Sequence, residues 1–535
     1  MNRNQTNDLK TSLSVVEALL RPGAYPHPTA ETIQLVETHI SWIFLTGGFA
    51  YKLKKPVDLG FLDFSTLEKR RHFCHEELLL NRRLCPDIYL DVLPVVRQSG
   101  TFLLGSTGKE PAADYVVRMI QFDRKLELDR LLADNAVSLE QIDQISSIIA
   151  GFHSSLPPAA RETEYGKPDI IIVPVLENFT HTERILSSPE EVEALEAIRT
   201  WTVSEHARLE RIFRNRKAKG FIRQCHGDMH AGNMVLWKKR VVIFDCIEFN
   251  SRLSVIDVIS DIAFLFMDLQ HAAKPFLAWR FLNNYLALTG DYEGLRVLKY
   301  YCTYRAMVRA KVTAIRYLQE NKAGRKPSIM EEHRSYVTLA SEYIRPALPM
   351  LIITCGVSGS GKSVLSAELA RRIGCVHIRS DIERKRLHGL RGEEKSSVIP
   401  GKNIYTPEAT ENTYAVLYGI GSVTLSSGYT IIVDATFLER ERRQKFISMS
   451  ENMGIPWAIL HVHAPEQVLA ARVVERQSHG GDPSEADLPV LESQLKRLEP
   501  LCGKETAASV SVDTSSPYDH DEVIAALLAF GRQYC

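Results

Sequence analysis

The chain has 535 residues, too many for one hydrophobic core, so two or more domains are expected. Apolar residues make up 45% and charged residues 24%, the balance of folded globular domains. Lys plus Arg equals Asp plus Glu at 65 each, which removes the broad electrostatic argument for a nucleic-acid partner, and no apolar run of about 18 residues is available to cross a membrane.

The first twenty residues, MNRNQTNDLKTSLSVVEALL, carry polar and acidic groups where a signal peptide needs an apolar stretch, so the chain is expected in the cytoplasm. Nine cysteines are scattered singly with no CxxC pair, and read as buried or bystander thiols. In chain order, residues 43–57 (IFLTGGFAYKLKKPV) predict a hairpin around Gly47 and Gly48. Ser65-Thr66-Leu67-Glu68 reads as a capping box, and Phe73, Glu77, Leu80 and Leu84 then mark one inward helical face as far as Pro86. Strand-like runs at 92–96 and 115–120 give way to helical periodicity at 139–153 and 191–213, a β-rich lobe followed by a helical lobe. The basic run 211–219 reads as a solvated helix end. The prolines between Tyr343 and Pro349 mark a domain boundary, and from Leu351 strands and helices alternate.

Two stretches carry chemistry. The first, His226-Gly227-Asp228-Met229-His230-Ala231-Gly232-Asn233, fits H-x-D-x-x-x-x-N, and Asp245 follows an apolar strand twelve residues later. Phosphoryl transfer needs a carboxylate beside the attacking hydroxyl and oxygen ligands for Mg2+ near the phosphates; Asp228 is the candidate base, Asn233 and Asp245 the candidate ligands.

HGDMHAGN followed by VVIFD resembles the aminoglycoside phosphotransferase and small-molecule kinase family, a branch of the protein-kinase-like fold, over about residues 30–340. The resemblance implies a strand lysine that grips phosphates and pairs with a helix glutamate. Lys52 and Glu77 are the matching residues, with Lys54 and Glu76 as alternatives in register. Cys246 and Ile247 stand where protein kinases have Phe-Gly, and no G-x-G-x-x-G precedes Lys52, which points to a small-molecule acceptor and leaves a nucleotide-sensing pseudokinase open. Asp257 and Asp261 read as structural acids at a helix start.

The second stretch, LIITCGVSGSGKS at 351–363, runs a strand into Gly356-x-x-x-x-Gly361-Lys362-Ser363, a complete P-loop pattern. Backbone N–H groups of Gly356, Ser358, Gly359, Ser360 and Gly361 are expected to cradle phosphate, Lys362 to reach its oxygens and Ser363 to hold Mg2+. Asp434, closing the strand YTIIVDAT, is placed to orient the metal, and Asp381, near the end of the expected neighbouring strand, to accept a hydroxyl proton. Residues 350–535 resemble compact P-loop kinases of the gluconate kinase, polynucleotide kinase and zeta-toxin group, with an AAA-type ATP-binding core. That resemblance implies Asp381 as base, Arg384 as a substrate or phosphate contact, and Arg472 and Arg476 as lid arginines before a Gly480-Gly481 hinge.

The expected fold is thus an α+β kinase-like domain, β-rich lobe plus helical lobe, at 30–345, followed by an α/β P-loop domain with a parallel sheet at 350–535. The expected activity is ATP- and Mg2+-dependent phosphate transfer to small-molecule hydroxyl acceptors at both sites. A P-loop kinase or ATPase with a pseudokinase, and a regulatory ATP-binding switch, stay open.

Overall fold

The computed structural model describes residues 3–60, 62–105, 111–320, 327–392, 394, 404–479 and 483–532. It folds as two compact units: Met1–Gln144, Gly151–His181 and Glu210–Asp268 form the first, and Ile145–Ala150, Thr182–Leu209 and Leu269–Cys535 the second.

The first unit is built on an antiparallel sheet of β1 (Gln34–Glu37), β2 (Ser41–Leu45), β3 (Phe49–Lys54), β4 (Tyr89–Gln98), β5 (Thr101–Leu104) and β6 (Ala112–Ile120), in the order β1-β2-β3-β6-β4-β5. The β2–β3 hairpin turns at Gly47, whose φ of 97° only glycine adopts freely, and its N–H donates to Gln121 Oε1 at 2.8 Å. Because side chains alternate along a strand, Tyr51 and Leu53 face a core with Trp42, Phe44, Val95 and Val116, packed with Val15, Val16 and Leu19 of the helix Arg3–Leu19. Lys52 and Lys54 are thereby turned to the opposite face, toward the helix Leu67–Asn81.

That helix starts one residue later than the capping box suggested. Thr66 is the N-cap, accepting from Lys69 N at 3.3 Å, while Ser65 donates to Asp63. Its buried face is Arg70, Cys74, Glu77 and Leu80, so Glu77 and Leu80 face inward as expected. Arg70 fixes the helix to β6 through Asp114, at 3.0 and 3.1 Å to the two carboxylate oxygens, with both side chains almost wholly buried. The loop 226–233 is framed by short strands β7 (Ile222–Gln224), β8 (Met234–Trp237), β9 (Arg240–Ile243) and β10 (Val255–Asp257); β7 pairs with β10 and β8 with β9. Within the basic run, Arg214 is exposed as expected, but Arg216 is buried against Asp257 at 2.6 Å, because the helix end packs on β10 and does not face water.

The second unit contains a parallel sheet of β11 (Leu351–Cys355), β12 (Val376–Arg379), β13 (Ile431–Asp434), β14 (Trp457–His463) and β15 (Ser509–Asp513), ordered β12-β13-β11-β14-β15. Every residue of β11 and β13 is buried, as helices on both faces of a parallel sheet require. The strands beside β11 are β13 and β14; β12, which leads to Asp381, is not the neighbour expected but lies one place further out, beyond β13. The architecture is a kinase-like antiparallel sheet with helices, then an α/β P-loop domain, and among the described residues no helix is long and apolar enough to cross a membrane. The described cysteines are free thiols, all buried but Cys502.

Removing one partner of a buried ion pair leaves the other charge uncompensated. Arg70→Met is therefore expected to destabilise the first unit by about 3–5 kcal/mol, and the Arg70→Met/Asp114→Leu double substitution to recover more than half of that, as read from urea midpoints.

Candidate active sites

In the first unit the hairpin and helix bring two lysines to one carboxylate. Lys52 Nζ lies 2.8 Å from Glu77 Oε1 and 2.6 Å from Asp245 Oδ1; Lys54 Nζ lies 2.6 Å from Glu77 Oε2 and also bonds Glu248. Lys52 lines a cleft of about 250 Å³ with Asp245, Phe244, Gln121 and Met119. Lys54 is wholly buried behind it, and Glu76 is only half-buried. Burial opposes the charge on both lysines, but the Asp245 and Glu77 carboxylates outweigh it at Lys52 and hold its ammonium well above the ordinary range. Burial likewise opposes ionisation of Glu77, yet its two lysines keep it below the usual carboxylate range.

The loop from His226 to Asn233 is held by backbone bonds that side chains arrange. Asp261 accepts from His226 N at 3.0 Å and Gly227 N at 2.8 Å, with His153 Nε2 at 3.1 Å, and Asp268 accepts from Ala231 N at 2.9 Å. Asp261 is the structural acid expected, although its task is this loop and not the helix dipole. His226 donates from Nε2 to Phe244 O and accepts at Nδ1 from Asp228 N; burial lowers its pKa and keeps the ring neutral. Asn233 Nδ2 donates to Asp228 Oδ2 at 3.0 Å and to Asp228 O at 2.9 Å, so its oxygen is the end of the amide suited to a cation. Asp245 has φ 66°, a left-handed conformation that aspartate tolerates better than most residues, and its side chain is 41% exposed to the cleft. Asp245 lines the cleft, while Asn233 and Asp228 are not among its lining residues; the oxygen donors of Asn233 and Asp245 are the kind a hard cation such as Mg2+ takes.

In the second unit β11 feeds the P-loop and the helix Lys362–Ile373. Gly356, Gly359 and Gly361 all have positive φ, at 153°, 81° and 85°. A Cβ on Gly356 would meet Val462 O at 2.2 Å, and one on Gly359 would meet Leu469 O at 2.7 Å, so the loop needs glycine for space as well as conformation. Lys362 Nζ donates to Val357 O at 2.8 Å, folded back on its own loop, with Ser360 Oγ at 3.4 Å. Burial lowers its pKa, opposed by Asp434 and Asp381. Asp434 closes β13 with His377 Nε2 at 3.3 Å; burial would raise its pKa, but His377, Arg379 and Lys362 bring it below the ordinary value.

A cavity of about 400 Å³ collects Ser358, Gly359, Gly361, Lys362, Ser363, Asp381, Asp434, Arg472 and Arg476. Asp381 stands in the first turn of the helix Ser380–Leu387. Arg472 bonds Thr514 Oγ1 at 2.7 Å and Gly359 O at 3.3 Å, and Arg476 bonds Ala486 O at 2.9 Å, so the paired arginines of the helix Glu466–His479 face the P-loop. The Gly480-Gly481 hinge lies outside the described residues. Sequence reasoning missed Glu248, Arg379 and His377. A charge within VVIFDCIEF was the signal for Glu248, since such a group needs a buried partner.

Residues 100–298 match the family model described as the phosphotransferase enzyme family, and residues 351–501 match that of an AAA domain. Each half thus carries its own family match. Together they support a kinase-type function, with ATP binding in its kinase and P-loop domains. Over most of its length the chain is similar to uncharacterized proteins of Mycobacterium bovis and Mycobacterium tuberculosis, each 27% identical over 463 residues, 86% of this chain and 89% of theirs. A protein described as probable gluconokinase from Xenopus tropicalis is 24% identical over 178 residues, 31% of this chain and 86% of its own. Among solved structures, a gluconokinase from Sinorhizobium meliloti 1021 is 26% identical, covering 35% of this chain and 94% of that one with a TM-score of 0.25. A choline/ethanolamine kinase family protein from Mesorhizobium loti is 10% identical, covering 62% and 99% with a TM-score of 0.37.

Gly356→Ala is expected to weaken ADP binding at the P-loop at least about 10-fold, about 1.4 kcal/mol, by equilibrium dialysis. A phosphate anion replacing the Val357 carbonyl raises the depressed pKa of Lys362, so nucleotide binding at alkaline pH takes up protons. Calorimetry in buffers of different ionisation enthalpy is expected to show this uptake, and Lys362→Met to remove it.

Proposed function

We propose that the protein is a bifunctional ATP-dependent phosphotransferase, with one Mg-ATP site in a domain spanning 30–345 and another in a domain spanning 350–535. The observation that supports this reading is a carboxylate suited to act as base, a buried lysine and further oxygen donors at each site: Asp228, Lys52, Asn233 and Asp245 in the first, Asp381, Lys362, Ser363 and Asp434 in the second.

At the first site Asp228 accepts the acceptor's hydroxyl proton, its carboxylate oriented by Asn233. Lys52, released from Asp245, turns to the α/β-phosphates while Glu77 keeps hold of it. At the second site the N–H groups of Gly356 to Gly361 and Lys362 hold the phosphates, Asp381 takes the acceptor proton, and Arg472 and Arg476 face the transferring group. Mg2+ held by Asn233 and Asp245, or by Ser363 and Asp434, would neutralise phosphate charge as it shifts to the leaving group.

The second cavity suggests an acceptor class. Arg379, Arg384, Arg442, Arg472, Arg476 and Arg497 line it with Lys362, against Asp381 and Asp434. Arg442 and Arg497 pair with Glu439, and the positive charge left over exceeds what Mg-ATP neutralises, which fits an acceptor that is itself an anion. A polyhydroxy acid of the kind named by the Xenopus tropicalis relative is a suitable first acceptor, and gluconate is the compound to try.

ATP turnover against a panel of hydroxyl compounds separates the readings. Asp228→Ala and Lys362→Ala are each expected to remove a different acceptor-dependent activity, by about 10²–10⁴-fold, while sparing the other. If Lys362→Ala alone abolished all turnover, the first site would be a nucleotide sensor; turnover indifferent to every acceptor would favour a regulatory ATPase.

A further inference from the structure

The helix that carries Asp381 and Arg384 is clamped from behind by residues far upstream in the sequence. Ser380–Leu387 has Asp381 and Arg384 lining the P-loop cavity. Arg384 is buried, with Nη1 bonded to Ile404 O and Thr410 Oγ1, and its Nε has no protein partner. Glu383, 2% exposed, accepts from Tyr292 Oη at 3.2 Å and from Arg386 Nε at 3.0 Å, and Arg386 continues to the carbonyls of Ala287 and Leu288.

The fit behind the helix is close. Gly290 ends the helix Pro275–Thr289 at φ 73°, and a Cβ there would meet Arg386 Nη1 at 2.8 Å. Burial pushes the Tyr292 hydroxyl well above its ordinary pKa, so it remains a donor. The strand that delivers the helix is held by the same segment: Asn283 Nδ2 donates to Cys375 O at 2.9 Å and its Oδ1 accepts from His377 N at 2.9 Å. An edge strand that would otherwise present open backbone groups is thus fixed in place by one amide. Residues 275–292 lie within the stretch that matches the phosphotransferase enzyme family, not the one that matches the AAA domain.

We infer that Tyr292, Glu383 and Arg386 are positioning residues of the P-loop acceptor site: together they hold the helix Ser380–Leu387 so that Asp381 and Arg384 face the acceptor. The inference rests on the proposed role of Asp381 as base. The clamp fixes the acceptor side of the cavity and leaves the phosphate side to the P-loop. The P-loop enzyme then requires residues 275–292, and a fragment beginning at residue 350 keeps the nucleotide loop but loses the support of its acceptor helix.

The test uses the full chain with Asp228→Ala as background, so that turnover reports the P-loop site, and reads ADP affinity there from the protection of 356–363 against hydrogen exchange. Tyr292→Phe and Arg386→Met are added singly. Both are expected to speed hydrogen exchange in 380–387 but not in 356–363, to leave the Kd for ADP and the KM for ATP within about twofold, and to lower kcat/KM for gluconate about 10- to 100-fold. Unchanged exchange in 380–387 in both variants overturns the clamp. So does a parallel loss of ADP affinity with faster exchange throughout the sheet, which would make the contacts merely structural. Absence of gluconate turnover in the parent chain counts against the acceptor reading, while exchange and ADP affinity still decide the clamp.

Discussion

A lysine buried inside the protein must be given a partner, and the rest of each candidate site follows from how that is done. Burying an unpaired ammonium costs several kcal/mol, so each site supplies a substitute partner. In the first unit the substitutes are carboxylates: Glu77 and Asp245 on Lys52, Glu77 and Glu248 on Lys54. In the second the substitute is the carbonyl of Val357, a weaker partner that leaves the ammonium easier to deprotonate. The two lysines therefore shift in opposite directions.

The difference reaches into the backbone. A carboxylate on Lys52 fixes the distance between β3, the helix Leu67–Asn81 and the segment at Asp245, so the first site is braced by side chains from elements far apart in sequence. Lys54 and Glu248 repeat the brace two residues along, on the same face of β3. The loop Gly227–Asn233 has no sheet to lie in, and Asp261 and Asp268 replace the missing ladder by accepting its N–H groups. At the P-loop the brace is local, since three positive-φ glycines and one helix N-terminus shape the anion site within a single turn of chain.

This contrast explains what could be read from the sequence. The P-loop, its strand and its helix stand out because every residue needed lies between Leu351 and Ile373. The hairpin at Gly47, the inward Glu77 and the spacing from His226 to Asp245 were legible for the same reason, each being a short-range pattern. Periodicity placed Lys52 and Lys54 on one face without saying which enters the cleft; that is decided by how deep each lies, with Lys52 against Asp245 and Lys54 behind it. The partner of Glu248, the loop-holding task of Asp261 and the burial of Arg216 were illegible because the groups involved lie 194, 35 and 41 residues away, at Lys54, His226 and Asp257. The slip from Ser65 to Thr66 at the helix start has another cause: Asp63 binds the Ser65 hydroxyl and leaves the cap to its neighbour.

Motif content and packing divide the polypeptide at different places. By motif, the break comes in the proline-rich stretch before Leu351; by packing, residues from Leu269 onward belong with the parallel sheet. A parallel sheet with β12 at its edge needs something to cover that edge, and the polypeptide already holds a suitable amide in Asn283. Once that cover is in place, Tyr292 and the carbonyls of Ala287 and Leu288 are within reach of the next helix, and Glu383 and Arg386 need no solvent-facing alternative. Edge protection, required of any such sheet, thereby also holds the helix Ser380–Leu387, whose Asp381 and Arg384 line the P-loop cavity. It is a physical reason for the stretches matching the two family models to stand in one chain, and it rests on packing alone.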